Sequence, residues 1–196
     1  MKPKQNISHS ESLSFTKEAS FTAGQHLPIL QNWAWLIETG VVKTYTLDEE
    51  GNPIILGYWG MGDLVGQPLS RVSPYRMQCC TPVKAQQVPS TLWSSWGQCL
   101  CHHCQQSEEL LLITRCEPLR ERLRLFLVWL AHKFGQPVEK GWQIGFRLTH
   151  QEIADAIGSS RVSVTRLLSK LEQQDLIKRF DHHCIVVKRL NSLRNQ

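Results

Sequence analysis

Arg161 and Arg166 stand at the head of a segment, SSRVSVTRLLSKL, whose Val164, Leu167, Leu168 and Leu171 recur at helical spacing. A guanidinium is a planar fork that donates two parallel hydrogen bonds, matching the O6 and N7 acceptors of guanine or the oxygens of a phosphate. Val162 beside Arg161 offers only apolar contact, which suits a thymine methyl. The hydroxyls of Ser160 and Thr165 can bond base edges or phosphates. This is chemistry for reading the major groove of DNA.

Side chains can read a groove only if a rigid element presents them, and the preceding residues supply one. In LTHQEIADAIG, Thr149 followed three residues later by Glu152 forms a capping box that starts a helix. Ile153, Ala154 and Ile157 give that helix an apolar face, and Gly158 permits the left-handed turn that ends it. Ser159 or Ser160 caps the second helix. The unit predicted is a helix-turn-helix whose second helix exposes Ser160, Arg161, Val162, Thr165 and Arg166. Thr149, Gln151 and Lys170 join them as candidate DNA contacts. Leu176–Val187 reads as two strands around Asp181, His182 and His183, a small wing whose Lys178, Arg179 and Lys188 attract phosphate.

Charge agrees with this placement. From residue 147 onward there are nine Lys or Arg against five acids, whereas the first 146 residues hold thirteen against twelve. The overall excess of +5 is therefore concentrated where a phosphate backbone would lie. No Gly-rich phosphate loop, paired-carboxylate site or nucleophile elbow is present, so the chain reads as a non-enzyme. No run of about 18 apolar residues suggests a membrane span, and the polar N-terminus lacks the apolar centre of a signal peptide. A cytoplasmic protein with reduced cysteines is expected.

A second set of reactive types, Cys99, Cys101, His102, His103, Cys104 and Cys116, lies just ahead of the helix-turn-helix. Thiolates and imidazoles at such density raise a metal or redox sensor, with Cys99, Cys101, His103, Cys104 and Cys116 the ligand candidates. Their spacing lacks paired C-x-x-C units, and on a helix Cys99 diverges from Cys101 and Cys104. Helix packing is the preferred reading, redox-sensitive thiols at a dimer interface an alternative, and no cofactor is expected.

The rest of the chain reads as an α+β protein. Residues 1–20 form a polar arm expected to be mobile. Residues 21–90 carry short strands: Trp33–Tyr45 around Gly40, a polar turn at Asp48–Asn52, then Pro53–Trp59, with Gly60, Gly62 and Gly66 as punctuation. Such closely spaced strands suggest a β-roll or jelly roll. Residues 91–117 predict one long helix with Leu92, Trp96, Leu100, Leu110 and Leu111 on one stripe, suited to pairing with a second copy through Trp96, Leu100, Cys104 and Leu111. Residues 118–196 form the DNA-binding domain, in which Pro118 opens a helix whose Leu119, Leu123, Phe126, Leu127 and Leu130 support the helix-turn-helix. The seven tryptophans read as core or interface anchors.

This order, with LTHQEIADAIGSSRVSVTRLLSKLEQQDLI and GVVKTYTLDEEGNPIILGYWGMGDLVG, resembles the cyclic-AMP-receptor and fumarate–nitrate-reductase (CRP/FNR) family of regulators. The resemblance implies a cyclic-nucleotide-binding-like roll, a dimerisation helix and a C-terminal winged helix-turn-helix. It also implies a homodimer on a near-palindromic double-stranded operator, with RNA polymerase as a possible partner. SSRVSVTRLLSKL is most similar to the cyanobacterial nitrogen-control branch, which has valine after the first recognition arginine, as Val162 is here. That implies a half-site beginning GTA, with TAC about eight base pairs away. The roll departs from the nucleotide signature: Gln67 replaces the glutamate that holds the ribose, and Arg76-Met77 aligns with the Arg-Ser pair that holds the cyclic phosphate. Gln67, Arg76 and Met77 are thus the effector-pocket candidates, and cyclic AMP is not the expected ligand. A sensing module that has lost DNA specificity is the rival reading, and intact Arg161 and Arg166 argue against it.

Overall fold

The computed structural model describes residues 17–180 and 184–188, apart from the side chains of residues 93–95. The N-terminal half folds as two antiparallel sheets. One has strand order β1 (Glu18–Phe21), β7 (Val83–Pro89), β2 (Trp33–Thr39), β5 (Leu64–Val65); the other runs β4 (Pro53–Trp59), β3 (Val42–Leu47), β6 (Arg76–Cys79). Alternation along the strands turns Trp35, Ile37, Val42, Trp59, Val65, Met77, Val83 and Ala85 into the space between them. Gly66 lies where the chain crosses β2 so closely that an added Cβ would sit 2.9 Å from the Ala34 backbone. The expected arm is shorter than residues 1–20, because Glu18–Phe21 pair with Val83–Gln86 of β7; the residues before Lys17 lie outside the described ones.

The single helix expected from residue 91 starts later. Ser90–Trp96 form a 3₁₀ segment, and α1 runs Gly97–Arg115. It is about 28 Å long at 1.5 Å per residue. No side chain caps its N-terminus, which continues directly from the 3₁₀ segment. The expected stripe is also split. Trp96 and Leu100 pack on Ala34, Leu64 and Val88 of the roll, and Leu110 is buried, whereas Leu111 is 56% exposed.

Helix α2 (Leu119–Phe134) buries Leu123, Phe126, Leu127 and Leu130, with Leu119 half-buried beside them. Next comes a hairpin that the sequence reading missed, β8 (Gly135–Val138) and β9 (Gly141–Ile144). Then come α3 (His150–Ile157), α4 (Arg161–Gln173), β10 (Ile177–Phe180) and β11 (Cys184–Val187). The wing is therefore part of a four-stranded sheet, order β10-β11-β9-β8. Its turn, with His182 and His183, lies outside the described residues. One core runs through all four helices and takes in Val41 and Tyr58 from the roll, so the two halves share buried surface.

Candidate nucleic-acid interface

The capping box forms as expected: Thr149 Oγ1 accepts from the Glu152 N–H at 3.1 Å, and Glu152 Oε2 accepts from the Thr149 N–H at 2.9 Å. Gly158 takes φ 62°, ψ 55°, the left-handed turn that an L side chain resists. Ser160, not Ser159, caps α4, its Oγ accepting from the Ser163 N–H at 3.2 Å. Val164, Leu168 and Leu171 are buried beneath α4, and its outer face carries Arg161, Val162, Thr165, Arg166 and Lys170. Val162 is 69% exposed. Among the described residues neither Arg161 nor Arg166 has an ion-pair partner, so both forks are free to bind.

Other candidates are partly committed. Thr165 Oγ1 donates to the Arg161 carbonyl at 2.8 Å and lies 2.8 Å from His150 Nδ1. With the hydroxyl hydrogen on that carbonyl, the His150 Nδ1–H must be the donor, which ties the start of α3 to α4. The sequence reading missed His150. Gln151 donates to Asp155 at 2.7 Å on the exposed side of α3. In the hairpin, Arg179 binds Glu172 through Nε at 3.0 Å and Nη2 at 2.6 Å, which bends its guanidinium back onto α4. The Arg179 hydrogen bond holds the Glu172 carboxyl below its ordinary value, and burial opposes this less strongly. Lys188 pairs with Asp175. Lys178 lies over the exposed Phe180 ring at 4.6 Å and keeps its charge outward.

Two further residues, unremarkable in sequence, fix this unit in place. Arg122 of α2 donates to the Cys116 and Ile157 carbonyls, each at 3.0 Å, and to Glu117 at 3.0 Å. It thereby satisfies a C-terminal carbonyl of α3. Lys43 of β3 binds Glu152 at 2.7 Å, so the capping carboxylate also anchors α3 to the roll. Burial alone would raise the Glu152 carboxyl, yet Lys43 and Thr149 hold it below the usual carboxylate range.

The cysteine and histidine cluster does not converge. His103 stacks on Trp59 at 3.9 Å and bonds the Leu64 carbonyl at 3.1 Å; burial, the main cause, holds its pKa below the ordinary value. Cys99 packs toward the roll, Cys101 and Cys104 are exposed on the opposite side of α1, and Cys116 ends that helix. Among the described residues no three His, Cys, Asp or Glu side chains are grouped to hold a metal. The effector candidates also part company. Met77 is 1% exposed within the roll core, while the adjacent Arg76 is exposed on the other face of β6. Gln67 donates to the Ser70 carbonyl in a short 3₁₀ turn.

A Crp-like helix-turn-helix domain matches residues 121–196. Over 163 residues the chain is 41% identical to the regulatory protein CysR of Synechococcus elongatus, covering 82% of this chain and 79% of CysR. The chain belongs to the CRP/FNR family of DNA-binding transcription regulators. The global nitrogen regulator of the same organism is 32% identical over 161 residues, covering 73% of this chain and 72% of that protein. The fold agrees. A CRP-family transcriptional regulator of Thermus thermophilus superposes with a TM-score of 0.76 at 21% identity, over 88% of this chain and 92% of the other.

Proposed function

We propose that this regulator binds a near-palindromic operator as a homodimer, without cyclic AMP and without catalytic activity, in the cytoplasm. The carrying observation is the exposed head of α4, where Arg161, Val162 and Arg166 have no internal use. Arg161 donates two hydrogen bonds to a guanine, Val162 covers a thymine methyl, and Arg166 reaches a second base or a phosphate. Ser160, Lys170 and Lys178, with Thr149 and Gln151 at the start of α3, contact the backbone. Arg179 and Thr165 hold the reading face in shape, their polar groups being largely engaged. The half-site begins with GTA, and RNA polymerase is the partner such an arrangement would serve.

Independence from cyclic AMP rests on Met77, whose side chain occupies the roll interior, and on Arg76, which faces away from it. A buried phosphate and ribose would leave polar groups unpaired at about 1–3 kcal/mol each. Fluorescence anisotropy with a GTA/TAC palindrome and a scrambled duplex, each with and without cyclic AMP, tests the proposal. Selective binding unchanged by the nucleotide is expected. Equal binding to both duplexes, or affinity that rises with micromolar cyclic AMP, would refute it.

A further inference from the structure

Helix α1 is locked in rotation by its inner face. Leu100 packs on the roll, His103 stacks on Trp59, Gln106 donates to Asp63 at 2.8 Å, and Leu110 and Ile113 enter the shared core. The opposite face is thereby fixed as well. It presents Cys101, Cys104, Glu108, Leu111 and Arg115, all exposed or partly so, at alternating steps of three and four residues. Leu112, 73% exposed, flanks this stripe. Three-and-four spacing is the pattern of a seam between two parallel helices, and a seam that closes about a two-fold axis sets each residue opposite its own copy. Helix axes about 8–10 Å apart, with Cα atoms about 2.3 Å off each axis, leave facing Cα atoms about 3.4–5.4 Å apart, a range whose upper half a disulfide can span. A disulfide spans Cα separations of about 4.4–6.8 Å.

We propose that Cys104 is a redox cross-linking site, joining Cys104 of a second copy by a disulfide when the pair meets a low-molecular-weight disulfide. This rests on the homodimer reading above. Cys104 shares its heptad position with Leu111, two turns further on, and so lies where the apolar contact is centred. The thiolate of one Cys104 attacks the small disulfide, forming a mixed disulfide and releasing one small thiolate. The thiolate of the second Cys104 then attacks the Cys104 sulfur of that mixed disulfide and releases the other. Two protein thiols are oxidised to one disulfide, and one small disulfide is reduced to two thiols. The roll thiols are poor competitors: burial pushes Cys79 up to about 11 and Cys80 to about 12, which starves them of thiolate.

The full chain is incubated with oxidised glutathione and run on a non-reducing gel, alongside light scattering of the reduced protein. A band at twice 22.5 kDa that dithiothreitol removes is expected for the wild type and for Cys101→Ser, and no such band for Cys104→Ser. The cross-linked chain should also stay dimeric on dilution. A reduced chain that scatters as a monomer refutes the dimer reading and the cross-link with it. A dimer that resists cross-linking, or one whose cross-link survives Cys104→Ser, refutes the thiol assignment alone.

Discussion

Lys133 and Asp63 form a buried ion pair whose disruption should destabilise the fold. Asp63 is 4% exposed; its Oδ2 accepts from the Gly60 N–H at 2.7 Å and from Lys133 at 2.9 Å, and its Oδ1 accepts from Gln106 at 2.8 Å. Lys133 also donates to the Tyr58 carbonyl at 2.6 Å and lies about 5–6 Å from three aromatic rings. Burial, only partly offset by Asp63, brings the ammonium down to about 8 from its ordinary 10.5, about 3 kcal/mol against the charged form. Lys133→Met removes that penalty but leaves the carboxylate with His102 at 3.8 Å and the neutral Gly60 and Gln106 donors, and breaking a buried charge pair costs about 3–5 kcal/mol. Adding Asp63→Asn should recover most of the loss, because Gln106 Oε1, buried without a partner, can rotate to accept from the new amide. For Lys133 the folded value lies below the unfolded one, so between about pH 8 and 10.5 the unfolded chain binds more protons and stability rises with pH. The gap between wild type and Lys133→Met should therefore widen across that window. Urea denaturation from pH 7 to 10 measures all three proteins. A single variant within about 1 kcal/mol of wild type, or a double variant no better than the single, would refute the reasoning.

Arg161→Ala should cost about 1–3 kcal/mol of operator affinity and relax preference at one guanine, whereas Lys178→Ala should weaken all duplexes alike and lower the salt slope by about one; anisotropy titrations across sequence and salt separate the two. Arg179→Ala should leave base preference intact and lower thermal stability instead, since its guanidinium serves Glu172. Gly158→Ala should destabilise the fold by about 1–2 kcal/mol through its left-handed backbone, read by chemical denaturation. Lys43→Met should cost about 1 kcal/mol at neutral pH. The folded Glu152 value is lowered, so that difference should vanish as pH falls from 4.5 through it, which a pH series of melts would show.

The helix-turn-helix was legible because its signals are local. A cap and its partner lie three residues apart, and Gly158 must turn where it stands, so neighbouring residues carry the geometry. The start of α1 was not, because an apolar stripe continues through Trp96 whether the backbone is α or 3₁₀, and a single 100° step carries Leu111 off the buried face that holds Leu110. The β8–β9 hairpin was missed for want of a long alternation; only the Glu139-Lys140-Gly141 turn announces it. Basic residues were the least legible. Arg179 and Lys188 count toward charge in sequence, yet they face Glu172 and Asp175, and only the fold reveals that Arg161, Arg166 and Lys178 remain open.

That division bears on how the roll could influence DNA reading. Helix α3 is held at both ends, by Lys43 of the roll through Glu152 and by Arg122 of α2 through the Ile157 carbonyl. Helix α4 is joined to α3 by the Gly158 turn and the His150–Thr165 bond, and to α2 by Leu168, Leu171 and the Arg120–Gln174 contact. The reading face therefore moves with α2 and α3 as one body. Among the described residues two ion pairs join that body to the roll, Lys43–Glu152 and Asp63–Lys133. The second is buried and also grips α1 through Gln106, so a shift of α1 would reach the recognition helix through Lys133. The first is more exposed and meets the capping box directly, so a shift of the roll sheet would be felt at the N-terminus of α3. A change transmitted through either pair would reach Arg161 and Arg166 together, because both stand on a helix packed with α2 and α3.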